Sequence, residues 1–157
     1  MKRILLTALA LTAMAVTSHA VRAETASHRD AVAFVDHAKV GQNLPVIALS
    51  VAKQTVTFTV LASKLGNGGA VKAVSDEIDA LLPIYQPKWD ENIANAYEKS
   101  FSEEELSSLA AEGRASKHAS KVAAQQSAIG KQMNLTSKPV LADLITQALS
   151  VAMSKNP

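Results

Sequence analysis

Apolar residues recur every three or four positions through most of this chain, which is the spacing of an α-helix. Over residues 28–39 an apolar face follows Ser27, a residue type that caps helix N-termini, so a helix is predicted there. Residues 41–43 interrupt the pattern with a glycine and two amides. From 44 to 65 the helical period returns with a second apolar flank, which predicts one helix covered on more than one side.

Residues 55–60 also fit a strand, because threonine alternates there with valine and phenylalanine. The stretch has no turn signals beside it and no second strand to pair with, and an isolated strand leaves its backbone groups unpaired. A helix is therefore the preferred interpretation of this segment.

Glycines and prolines mark the next boundaries. The glycine-rich stretch 66–69 predicts the end of one helix and a turn into another over residues 70–82. Pro83 and Pro87 predict a bend or a short irregular stretch, followed by a helix from Asp90 to about Ser100.

Ser102 and Glu105 have the spacing of a capping box, and Phe101 and Leu106 stand at the positions of a hydrophobic staple. A helix is predicted to start here, and it either ends near residue 113 or continues to about residue 132. Pro139 is tolerated in a first turn and predicts the start of the last helix. The whole pattern predicts an all-α single compact bundle of about five or six helices over residues 24–157.

The first 23 residues have the layout of a secretory signal peptide. Lys2 and Arg3 precede an apolar run over 4–16, and small residues lead to an exit at Ala23, with Ala20 as the alternative cleavage point. The run is too short for a membrane span, and no apolar run of about 18 residues follows it. The protein is therefore predicted to be periplasmic or secreted, with no transmembrane segment after signal removal.

Removing the predicted signal changes the charge of the protein. The loss of Lys2, Arg3 and Arg22 leaves 13 basic residues against 14 acidic ones, so the net charge falls from +2 to −1. No global positive field remains to attract nucleic acid. The chain has no cysteine, which excludes a disulfide framework, a thiolate metal site and a thiol nucleophile.

The segment 96–106 resembles a family of secreted proteobacterial proteins known only as a domain of unknown function. The family signature, Tyr-x3-Phe-(Thr/Ser)-x-Glu-Glu-Leu, is matched here by these residues: Tyr97, Phe101, Ser102, Glu104, Glu105 and Leu106. Residues 121–129 are similar to the stretch that follows in the family, but the usual aromatic pair and Ser-Pro-x-Gly kink are replaced by Glu112 and Gly113. The resemblance implies a helical, exported protein and assigns no catalytic residue.

Candidate chemistry is sparse in this sequence. The three histidines after the signal, His28, His37 and His118, have no metal-ligand spacing. There is no nucleophile elbow, and the glycines at 66–69 lack the lysine of a phosphate loop. We therefore expect no enzyme activity, no metal and no cofactor.

A basic group provides one candidate binding surface. Arg114, Lys117, His118 and Lys121 recur at i, i+3, i+4 and i+7, so a continuous helix would place them on one face. Such a face suits an anionic lipid surface or an acidic envelope protein. An ordinary solvated face is the simpler interpretation.

An aromatic group provides the other candidate. Tyr85, Trp89, Tyr97 and Phe101 lie within 17 positions and could form a groove for an apolar ligand or a partner helix. Packing of two short helices explains the same cluster more simply.

These features predict a non-catalytic helical interaction protein of the bacterial cell envelope. The alternative is a periplasmic carrier or sensor of a small apolar ligand, for which a cavity near Trp89 is expected. The weakest hypothesis is a hydrolase whose active site is assembled from residues that lie far apart in the sequence.

Overall fold

The computed structural model describes residues 25–157, and every regular element in that range is a helix. The prediction of an all-α bundle is confirmed. The predicted signal peptide and its cleavage points at Ala20 and Ala23 lie outside the described residues. The elements in chain order are α1 (Ala26–His37), α2 (Leu44–Ala52), α3 (Val56–Ser100), α4 (Glu103–Glu112), a short 3₁₀ turn (Gly113–Ala115) and α5 (Ala119–Lys155).

The two long helices, α3 and α5, form the main interface of the bundle. α1 packs against α3 and α4, while α2 lies against α3 and α5. Each fully buried aliphatic side chain in this core contributes about 1.5–3 kcal/mol relative to exposure. Representative core residues are Leu61, Val74, Ile78, Ile93, Leu144 and Leu149.

A sharp bend separates α2 from α3, so the prediction of one helix over residues 44–65 is wrong. The two helices are bent by 83° across the break after Ala52. Thr55 has extended dihedral angles, and its hydroxyl accepts a hydrogen bond from the backbone N–H of Phe58 at 3.2 Å. This side-chain cap satisfies a free donor of the new helix. The alternative strand over 55–60 is excluded as well, because residues 56–60 form the first turns of α3.

Gly66 interrupts α3 at the position that the glycine-rich stretch indicates. Its φ of 73° and ψ of 161° are not helical, and the chain returns to helix directly afterwards. These dihedral angles belong almost only to glycine, because a Cβ atom would clash with the backbone there. The arm of α3 before Gly66, residues 56–65, is therefore a separate helical segment from the long part that follows.

The prolines do not end the helices as predicted. Pro83 and Pro87 lie inside α3, and Pro139 lies inside α5 rather than in its first turn. A proline in a helix interior removes one hydrogen bond and costs about 3 kcal/mol. The buried face of α3 on both sides of its prolines, which includes Tyr85 and Trp89, outweighs that local penalty.

The junction before α4 agrees with its local sequence signal. The backbone N–H of Ser102 donates to Glu105 Oε2 at 2.9 Å, and the N–H of Glu105 donates to Ser102 Oγ at 3.3 Å. Both residues of the predicted staple, Phe101 and Leu106, are buried. α4 ends at Glu112, so the shorter of the two predicted alternatives is correct.

Candidate functional site

The basic residues do not lie along one continuous helix. Arg114 is in the 3₁₀ turn, Lys117 is in the following turn, His118 is the N-cap of α5, and Lys121 is in its first turn. A single basic face requires one continuous helix from Arg114 to Lys121. Residues 116–118 are not helical, so this requirement is not met.

Acidic residues at the start of α4 form ion pairs with most of this basic group. Lys117 Nζ lies 3.2 Å from Glu104 Oε1, and Lys121 Nζ lies 2.6 Å from Glu105 Oε2. His118 Nδ1 is 3.8 Å from Glu105 as well. The hydrogen bond from Lys121, followed by that from the Ser102 backbone, lowers the pKa of Glu105. Within the described residues, these contacts connect α4 to the start of α5 and neutralise much of the positive charge of the basic group.

The aromatic residues are all buried, but they are divided between two parts of the core. The ring of Tyr97 stacks on Phe101 with a centroid distance of 5.5 Å and meets the edge of Phe34 at 5.1 Å. Further back along α3, the Tyr85 hydroxyl donates to Asp143 Oδ2 of α5 at 2.6 Å. Burial, together with this hydrogen bond and the aspartate charge, raises the pKa of Tyr85 to about 12. The four aromatics therefore do not line one common groove.

Two partly open cavities lie beside this core. The Arg114 cavity, of about 540 Å³, is lined by residues of α1, α3, α4 and α5, including Phe34, Tyr97 and Arg114. The Trp89 cavity, of about 440 Å³, lies between α2, α3 and α5. Its apolar wall includes Val51, Trp89, Met133, Leu141 and Ile145.

The Trp89 cavity contains a polar group without a partner. The Trp89 side chain is only 7% exposed, and its buried indole N–H donates to no acceptor within residues 25–157. Buried tryptophan N–H groups usually have an acceptor, because leaving one unpaired costs free energy. Ser137 lies in the same wall, and the exposed Lys138 stands beside it without an ion pair to any described residue.

The structure brings together some of the predicted site residues and separates others. Trp89 lines one cavity, while Tyr97 and Arg114 line the other. The remaining members of the two predicted groups line neither cavity, and these are Tyr85, Phe101, Lys117, His118 and Lys121.

Sequence reasoning missed the contribution of α5 to the Trp89 cavity. Met133, Ser137 and Leu141 follow one another at intervals of four, which places them on one helix face. That spacing is visible in the sequence. The prediction of a helix start at Pro139 left Met133 and Ser137 outside the last helix and so concealed the shared face.

One titratable residue outside the two cavities, His28, links two helices of the bundle. His28 of α1 lies between two carboxylates of α3, with Nε2 3.3 Å from Glu91 and Nδ1 3.1 Å from Glu98. Burial opposes the charged imidazolium, but the hydrogen bond and charge of Glu98, with those of Glu91, outweigh it and raise the pKa of His28. Within residues 25–157, no three His, Asp or Glu side chains are placed to hold a metal ion.

Comparison with protein families, curated proteins and solved structures finds no match to this chain. The resemblance of residues 96–106 to a secreted family therefore stays a prediction.

Proposed function

We propose that this protein is a non-catalytic binding protein of the bacterial cell envelope, which carries or senses a small apolar ligand in the Trp89 cavity. The observation that supports this most directly is an apolar cavity beside a buried indole N–H that has no acceptor. The envelope location rests on the predicted signal peptide.

The dimensions and lining of the cavity indicate the class of ligand. A volume of about 440 Å³ falls in the usual range for small-molecule sites, roughly 300–1,000 Å³. The wall favours a hydrocarbon body, while the Trp89 N–H and the Lys138 ammonium favour an oxygen-bearing, anionic head. Because the indole nitrogen exposes almost no surface, this proposal requires the ring to turn when the ligand binds. A medium-chain carboxylate has this combination of properties.

The Arg114 cavity is the less suitable site for such a ligand. Its wall carries charges of both signs, Glu112 and Arg114, and none of its lining side chains has a buried polar atom without a partner. The hydrocarbon body of the carboxylate would remove these charged groups from water there, and the Glu112 carboxylate would repel its anionic head.

Trp89 provides a direct test, because it is the only tryptophan in the chain. Titration with decanoate should change its emission saturably, and decanol, which lacks the charge, should bind more weakly. Ala142→Phe places a ring in the cavity wall from an exposed position and should weaken decanoate binding by about tenfold, as overpacking of about 1–3 kcal/mol predicts.

Ala124→Phe is the matched control, since Ala124 is exposed on the same helix and lines neither cavity. It should bind decanoate like the unsubstituted protein. An emission that decanoate leaves unchanged would contradict the proposal, and so would equal weakening by Ala142→Phe and Ala124→Phe.

A further inference from the structure

The elbow formed by α2 and the first arm of α3, residues 44–65, exposes more large apolar side chains than its surroundings. Of the eight such residues exposed within the described chain, five belong to this elbow. They are Val46 at 70% exposure, Val51 at 38%, Val56 at 82%, Val60 at 40% and Leu65 at 37%. Single exposed apolar residues are ordinary, but this concentration in one segment indicates an interaction surface.

The charge around the elbow has one sign. Residues 37–75 contain four lysines and no aspartate or glutamate, although the chain has 14 acidic residues. Lys39 and Lys72 are paired with Asp36 and Asp76 at the edges of this acid-free segment. Lys53, at the bend itself, is exposed and has no ion pair within residues 25–157. The elbow is therefore apolar and positively charged.

We propose that this elbow docks on the surface of an anionic lipid bilayer, with the exposed valines in the headgroup layer and Lys53 near lipid phosphates. Interfacial segments combine apolar side chains with lysines in this way. No single helix in the described chain is long and apolar enough to cross a membrane, but α2 and α3 together meet the length and composition criteria as a bent pair.

Two other occupants fit the elbow less well. A second copy of the chain would place lysine against lysine, because the segment offers no acidic residue to pair with. A folded partner would need a shape that matches two helices bent by 83°, whereas fluid lipid adapts to both arms. The docking does not depend on the Trp89 cavity, although Val51 belongs to both surfaces and would place the cavity mouth close to the bilayer.

The test is flotation of the protein without residues 1–23 with vesicles of phosphatidylglycerol and phosphatidylethanolamine, compared with phosphatidylcholine vesicles. Binding should require phosphatidylglycerol and weaken as salt is added. Lys53→Glu should reduce the partition coefficient by more than about fivefold, since one basic residue near an anionic surface contributes about that factor. Val46→Asn combined with Val56→Asn should reduce it by at least about tenfold, because both side chains would otherwise leave water.

Matched controls lie on α5. Leu135 is 77% exposed, and Lys131 is an exposed lysine without an ion pair in the described chain, so Leu135→Asn and Lys131→Glu should leave vesicle binding unchanged. Helical circular dichroism confirms that each variant is folded. Absence of flotation, or equal losses in elbow and control variants, would overturn the proposal. So would a dimer in lipid-free solution that the paired valine substitutions dissociate, because a second copy would then cover the elbow.

Discussion

At the scale of single residues, His28 shows how a polar side chain joins two helices of this bundle. It lies in the first turns of α1, and its two ring nitrogens face Glu91 and Glu98 on α3. Thr25, the N-cap of α1, also donates to Glu98 at 2.9 Å. The N-terminal end of α1 is thus attached to α3 by two side chains, one of which, His28, is titratable.

The stability of this attachment should depend on pH. The folded-state pKa of His28 is raised above 6.5, so the added stability is fully present below pH 6.5 and is lost as the pH rises through the folded-state value. His28→Gln should therefore lower the free energy of unfolding more at pH 5.5 than at pH 8.5. Urea denaturation at both pH values measures the difference. An equal effect of His28→Gln at both pH values would contradict the assignment.

At the scale of helices, the two glycines at 66 and 68 have opposite roles although they are two positions apart. Gly66 has a backbone conformation restricted to glycine, whereas Gly68 is helical with open space where a Cβ atom would stand. The break in α3 therefore depends on one glycine and not on the glycine-rich composition of the whole stretch.

Alanine substitutions should separate these roles. Gly66→Ala should destabilise the protein by about 1–3 kcal/mol, because the side chain strains a backbone that only glycine adopts easily. Gly68→Ala should stabilise it by about 0.5–1 kcal/mol, since alanine favours the helix and meets no neighbour. Urea denaturation of the two variants gives both values, and a loss of stability in Gly68→Ala would contradict a helical conformation at Gly68.

The elements that the sequence predicts correctly are those with signals contained within a few residues. The capping box of α4 is one example, because Ser102 and Glu105 satisfy each other's backbone groups without help from distant residues. The continuity of α3 through Pro83 could not be predicted in this way, since burial against other helices decides it. The cap at Thr55 lay between these cases. Threonine is a favoured N-cap residue, but the apolar period across residues 44–65 obscured that signal.

At the scale of the whole molecule, the cavity is the feature least accessible to sequence reasoning. Trp89 and the possibility of an apolar site beside it could be named in advance, because a single large aromatic stood out from the composition. Its other walls come from α2 and α5, tens of residues away in both directions. Their convergence follows from the crossing of three helices, which helical periodicity does not specify.

The break at Gly66 has a consequence for how the bundle opens. A helix without an interruption tends to unfold as one cooperative unit, whereas the arm over residues 56–65 can lose its hydrogen bonds without unwinding the part of α3 that follows Gly66. Its amide protons should therefore exchange with solvent faster than those of residues 70–82, as hydrogen–deuterium exchange resolved by peptide can measure. Equal protection on both sides of Gly66 would show that the two segments open together. Faster exchange in the arm would mean that Val56, Val60 and Leu65, three of the exposed apolar side chains of the elbow, belong to a helical segment that opens more easily than the part of α3 after Gly66. Such a segment can rearrange on contact while residues 70–82 stay folded.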